Sequence, residues 1–329
     1  MPSVLDRKLL VITGKGGVGK TTMAAAVGLL AAERGLRTIV VELGDQSRLP
    51  SMFEHPPREP GTETRLGERL WSISIDPDRA LEEWLQAVGG RVSGRVLASS
   101  GAFQYFAAAA PGAKEIISMV KIWELTQEAR WQRRAGGYDL VVLDAPATGH
   151  ALGMLRSPQT FGAIARVGPI AGQAEQVGEL LGDPSRSGFL AVALGTEMAV
   201  TEALELQEGL QAQLERTLDA VIVNCLLPQR FTASELGRIA QLSPNGQPRH
   251  GRAPQPVGTR GGARTADADV VRAAAGAAQT VHDRARFQHN QVARLRRRRF
   301  EVIGVPFVWG TQLDLPALQR IAEQLGRRL

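Results

Sequence analysis

The chain has 329 residues, 43% hydrophobic and 22% charged, which excludes a disordered or fibrous chain and leaves enough length to bury a sizeable core. Its formal net charge is +6 and its pI about 10.1, but the excess is concentrated in Arg284 to Arg299 and does not by itself indicate a nucleic-acid protein. One cysteine, Cys225, excludes an intrachain disulfide and a CxxC clip, and the five histidines lack the spacing of a zinc site. No apolar leader and no membrane-length apolar span are visible, so a cytoplasmic protein is expected, with peripheral membrane contact as an option.

The apolar run Leu9 to Ile12 leads directly into Gly14-Lys15-Gly16-Gly17-Val18-Gly19-Lys20-Thr21-Thr22, and the helix-forming run Met23 to Ala32 follows. Strand, glycine loop and helix N-terminus in that order make a P-loop, in which backbone N–H groups and the helix dipole cradle phosphates. Gly16, Gly17, Val18, Gly19, Lys20, Thr21 and Thr22 are therefore the candidate nucleotide-binding set. Lys20 is placed to reach the β/γ-phosphates, and the Thr21 hydroxyl to ligate a Mg²⁺ that bridges them. Lys15 is a second lysine at the front of the loop, either a solvated side chain or a cation for a second nucleotide.

Thr38 to Leu43 reads as a buried strand ending in Glu42-Leu43-Gly44-Asp45-Gln46-Ser47, a second loop facing the nucleotide. Leu70 to Ile75 is a third strand, and Asp76-Pro77-Asp78 starts a helix over Arg79 to Val88. Residues 90–135 read as a helical insertion. It holds the uncharged stretch Ser99 to Ala113, then Ile116, Val120 and Trp123 at helical spacing, a layer packed on the core or a surface for a client. Tyr138 to Leu143 is a buried strand that delivers Asp144 to the position of a Mg²⁺-organising acid, with Ala145 to His150 as the following loop.

Strands at Phe189 to Leu194, Ala220 to Asn224 and Val302 to Phe307 alternate with helices at Ala199 to Leu214, Ala233 to Gln241 and Leu315 to Leu325. Such alternation predicts an α/β fold with a doubly wound parallel sheet. Residues 242–266 are rich in Gly, Pro and Arg and read as a disordered loop. A long helix over Asp267 to Arg299 follows, ending in four arginines; they form either a solvated face or a docking patch for an acidic partner or a membrane surface. No linker cuts the first 240 residues, so 1–329 is expected to form a single domain.

The stretch KGGVGKTT resembles the deviant P-loop of the ParA/MinD-type, nitrogenase-iron-protein-like and ArsA-type ATPases. DAPATGHALGMLRSP at Asp144 to Pro158 is similar to the switch segment of ArsA-type and tail-anchored-protein-targeting ATPases, Gly101 to Phe106 with Pro111 to Glu115 resembles the helical segment of that family's bacterial members, and Thr196 to Glu202 is similar to the stretch that follows the family's next strand. The resemblance implies a Mg²⁺-dependent ATPase of this P-loop NTPase family whose ATP-driven dimer closes and reopens, coupled to an anion pump or a client protein. It also implies that Lys15 reaches the nucleotide of the opposite subunit, that Thr148 to His150 sense the γ-phosphate, and that Asn224 reads adenine with Pro306 on the base's other side. Gly44 stands where the family places its water-positioning Asp, so Asp45 is the candidate for that role. A homodimer, or a heterodimer with a related ATPase, is expected, with a membrane-protein partner or a client protein. No specific nucleic acid is expected; a ParA/MinD-like DNA- or membrane-positioning ATPase is the alternative.

Overall fold

The computed structural model describes residues 3–44, 47–98, 112–131, 136–164, 169–241, 262–310 and 313–329. In chain order the strands are β1 (Leu9–Gly14), β2 (Thr38–Leu43), β3 (Thr64–Gly67), β4 (Leu70–Ile75), β5 (Leu140–Asp144), β6 (Ser187–Leu194), β7 (Ala220–Leu226) and β8 (Glu301–Pro306). The helices are α1 (Lys20–Glu33), α2 (Leu49–Met52), α3 (Pro77–Ala98), α4 (Ala113–Leu125), α5 (Thr148–Ile164), α6 (Pro169–Gly182), α7 (Glu197–Leu214), α8 (Ala233–Gln241), α9 (Gly262–Arg296) and α10 (Leu315–Gly326).

One eight-stranded sheet carries the fold, in the order β3-β4-β2-β5-β1-β6-β7-β8. All pairs are parallel except β3 with β4. The central strands are continuous apolar runs: every residue of β1 is buried, and β5 is buried up to Asp144. Helices that cover both faces of a parallel sheet demand such runs. β1 lies between β5 and β6, where the chain stops adding strands on one side and starts on the other. In an open α/β sheet the ligand crevice forms at that switch, outside the carboxyl ends of the strands.

The doubly wound sheet is as the sequence predicts, with three differences. β3 adds a short antiparallel edge that four residues with a single buried side chain do not announce. Thr148 to His150 form the first turn of α5 rather than a loop, the Ala151 N–H bonding to the Ala147 carbonyl at 3.0 Å. Residues 262–266, expected to be loop, open α9; 242–261 lie outside the described residues, as do 99–111 of the uncharged stretch.

The helical layer is locked to the sheet through buried charge. Glu124 of α4 is fully buried and accepts from Lys121 at 3.0 Å and Arg130 at 2.6 Å. Lys121 also pairs with Glu83 of α3, and Arg130 with Glu63, which takes the Tyr138 hydroxyl at 2.6 Å. Burial works against the Glu124 charge, but the Arg130 bond and the two cations hold its carboxyl below the usual range. Removing one member would strand the others, a loss of about 3 to 5 kcal/mol.

Candidate functional site

The loop from Gly14 to Gly19 leaves β1 and enters α1 in conformations that a side chain resists. Gly19 has φ 95°, and a Cβ there would stand 2.5 Å from Asn224 Nδ2; a Cβ on Gly14 would stand 2.1 Å from the Val192 carbonyl oxygen. Gly16 and Gly17 are exposed, with nothing within 4 Å of an added Cβ, which leaves backbone open for an anion. α1 then starts at Lys20, its N-terminus aimed at the same place.

Register brings the acid to this loop. Ile12 of β1 is paired with Asp144 of β5, so the carboxylate sits beside the start of α1. Asp144 Oδ2 accepts from the Thr21 hydroxyl at 2.5 Å. Its other oxygen is buried and has no hydrogen-bond partner among the described residues. Burial pushes the Asp144 carboxyl up, opposed by the Thr21 bond and the charges of Lys20 and Arg48. Lys20 donates to the Lys15 carbonyl at 3.1 Å, and burial pulls its ammonium down, opposed by Asp144. An orphaned carboxylate oxygen beside a hydroxyl is an all-oxygen donor set that fits a hard cation such as Mg²⁺.

Lys20, Thr21 and Asp144 line one cavity of about 350 Å³ together with Glu42, Leu43, Gly44, Arg48, Ala145 and Pro146. Gly149 and His150 instead line a neighbouring cavity of about 500 Å³ between α4 and α5, while the Thr148 hydroxyl is buried without a partner among the described residues. Thr22 lies half-buried in the first turn of α1, and Val18 is buried at 2% exposure. Asp45 lies outside the described residues.

Asn224, nearly buried in β7, donates from Nδ2 to the Val18 carbonyl at 2.9 Å and accepts the Cys225 N–H at 2.8 Å. In this arrangement its amide braces the phosphate loop. Pro306 is exposed at the end of β8, in register with Leu226, and Phe307 and Trp309 stack edge to face just beyond it at 4.8 Å.

Lys15 does not stand free. Its ammonium meets Glu202 of α7 at 2.7 Å and lies against Met198 Sδ. Sequence reasoning also passed over Glu42, Arg48 and Gln288. Gln288 of α9 pins the exit of β7, accepting from the Leu227 N–H and donating to the Cys225 carbonyl. A signal existed for Glu42, the one charge in a buried strand, since a charge is seldom buried without a task.

A parallel sheet with a phosphate loop at its switch point, and a carboxylate in register beside it, defines a P-loop NTPase. A sequence model of the family described as Anion-transporting ATPase matches residues 7–173, half of the chain. ATPase BagA of Mycobacterium tuberculosis is 30% identical over 240 residues, which cover 71% of this chain and 69% of BagA. A Halobacterium salinarum protein named "Putative arsenical pump-driving ATPase" is 31% identical over 248 residues, 69% of this chain but 37% of that longer protein. One of the same name from Chlorobaculum tepidum is 31% identical over 157 residues, 47% of this chain and 36% of its own length. The chain belongs to the ArsA-type anion-transporting ATPase family. No helix among the described residues is long and apolar enough to cross a membrane.

Proposed function

We propose that the chain is a Mg²⁺-dependent ATP hydrolase in which ATP binding closes two subunits face to face and hydrolysis reopens them, driving an anion pump or a client protein. The observation that carries the proposal is the cluster of Lys20, Thr21 and the half-satisfied Asp144 at the mouth of the glycine loop. Catalysis of this kind is mostly positioning and charge stabilisation. The loop N–H groups orient the phosphates, Lys20 offsets their β/γ charge, and Thr21 with Asp144 would hold the metal. Mg²⁺ held by Thr21 and Asp144 would supply charge neutralisation for the phosphates.

The partner is a second copy of the chain or a related ATPase, and a membrane protein or a client protein is the driven component. A single thiol per chain, Cys225, cannot build a three-sulfur arsenite site, so a cargo other than As(III) is favoured. The family match disfavours a ParA/MinD-like positioning role. The test is ATP binding and hydrolysis by the wild type and by Lys20→Ala, which loses the in-loop cation. ATP affinity retained in the variant would sink the P-loop assignment.

A further inference from the structure

Glu42 is a carboxylate near the carboxyl end of the interior strand β2, 5% exposed, and burial pushes its carboxyl up, with Asp144 adding to the effect. A buried charge is costly unless its oxygens are used. They are used on one short segment. Both oxygens accept the Arg48 N–H, at 3.1 and 3.0 Å, and Oε2 also accepts the Leu49 N–H at 3.1 Å and the Ser47 hydroxyl at 3.3 Å. The carboxylate therefore acts as a clamp on the Ser47 hydroxyl and the Arg48 and Leu49 backbone N–H groups, and fixes where Arg48 leaves the chain.

Arg48 leaves it at the phosphate cavity. Its side chain lines that cavity with Lys20, Thr21 and Asp144, and its charge lowers the Asp144 carboxyl. The lining holds two cations, Lys20 and Arg48, against two carboxylates, Glu42 and Asp144. A magnesium nucleoside triphosphate brings net negative charge, and of the loop's two lysines Lys20 lines the cavity while Lys15 is paired with Glu202. A solvated arginine serving only solubility would not need its main chain gripped by a buried carboxylate.

We propose that Arg48 is a further phosphate-contacting cation of the hydrolysis site, supplied in cis, and that Glu42 is its positioning residue. The proposal rests on the ATPase function above. In the reaction, water oxygen bonds to the γ-phosphorus as the bond to the β–γ bridging oxygen breaks. The bond's electron pair leaves on ADP, and the water proton passes to the released phosphate. A guanidinium fork fits the γ-oxygens two at a time, and charge shifts onto the leaving oxygen in the transition state.

The test compares full-length wild type, Arg48→Ala, Arg48→Lys and Glu42→Gln by calorimetric titration with ATPγS and with ADP in Mg²⁺, alongside steady-state hydrolysis. Arg48→Ala should bind ADP within about 2-fold of wild type, bind ATPγS about 10-fold more weakly and lose about 100-fold or more in kcat, the scale of an arginine that stabilises transferred charge. Arg48→Lys should fall between. Millimolar guanidinium should restore part of the kcat of Arg48→Ala and none of that of Glu42→Gln, whose arginine is present but misplaced. Because Arg48 is exposed, Arg48→Ala should melt with the wild type. An active wild type matched by Arg48→Ala in both ATPγS affinity and kcat overturns the arginine alone. A wild type that neither binds ATPγS nor hydrolyses ATP removes the ATPase function and this proposal with it.

Discussion

The Lys15 ammonium lies 2.7 Å from a carboxylate oxygen of Glu202, so the front lysine of the phosphate loop is tied to α7 of its own chain. The two side chains are 35% and 29% exposed, and a pair that solvated contributes about 0 to 1 kcal/mol. Such a tie is weak enough to be exchanged for a phosphate.

Glu202→Gln should therefore release Lys15 without harming the fold. The melting temperature should stay within about 2 °C of wild type, and ATP-dependent dimerisation or turnover should rise by about 2- to 5-fold, the loss of a pair of this strength. Sedimentation velocity with and without ATPγS, and an ATPase assay, read the two effects. A fall in turnover with unchanged stability would show instead that Glu202 serves the reaction.

The sheet was legible because each buried strand is a compact run of β-branched and apolar residues bounded by loop signals, as in Thr38 to Leu43 and Tyr138 to Leu143. The phosphate loop was legible because its glycines and lysine keep fixed spacing between a strand and a helix. The pairings that finish the site were not. Lys15 and Glu202 stand 187 residues apart, and no local pattern reports which helix face meets a loop. Glu42 was visible as a charge in a strand, but its role depends on backbone N–H groups whose direction only the folded turn sets. The turn at Thr148 was misread because Pro146 and Gly149 signal a loop, while packing continues the helix through the glycine.

Asn224 joins the phosphate loop to the strand beside the expected base, so its removal should show twice. Asn224→Ala leaves the Val18 carbonyl and the Cys225 N–H without their partner, an unfolding loss of about 1 to 3 kcal/mol and a melting temperature lower by about 2 to 10 °C. If the same amide reads adenine, the wild type should prefer ATP to GTP, and the ratio of ADP to GDP affinity should collapse in the variant. Equal turnover of ATP and GTP by the wild type counts against adenine reading while leaving the bracing role in place.

Asp144 carries a carboxyl pushed up by burial, which fixes the sign of its effect on the nucleotide-free protein. Its folded-state value lies above the unfolded one, so the folded state holds the proton more tightly. Stability then falls as pH rises from the ordinary carboxylate range through the raised value, and the full penalty is present above that value. Asp144→Asn lacks that penalty and can still accept from Thr21. The variant should melt about 1 to 4 °C above wild type at neutral pH without nucleotide, and the gap should close as pH drops below the ordinary carboxylate range. A variant that melts lower at neutral pH would mean that the attraction to Lys20 outweighs desolvation.

The proposed role of Lys15 across a dimer is open to a mixing experiment. Lys20 already fills the phosphate-facing position of its own loop, and the tie to Glu202 leaves Lys15 outside that cavity's lining. A cation delivered from the opposite subunit to a phosphoryl-transfer site raises turnover by about 10³ to 10⁵ while adding much less to ground-state binding. Lys15→Ala should therefore bind ATP and hydrolyse it poorly, and Asp144→Asn should be inactive through loss of the acid proposed to organise the metal. In a heterodimer of the two, the Asp144→Asn chain lends its Lys15 to the intact metal site of the Lys15→Ala chain. Equal mixing with free exchange makes half the dimers hetero, each with one working site, so activity should return to about a quarter of wild type. The control is each variant alone at the same total concentration, with heterodimers confirmed by tagged pull-down. A mixture no more active than the sum of its parts, with heterodimers present, would show that Lys15 works within its own chain or not at all.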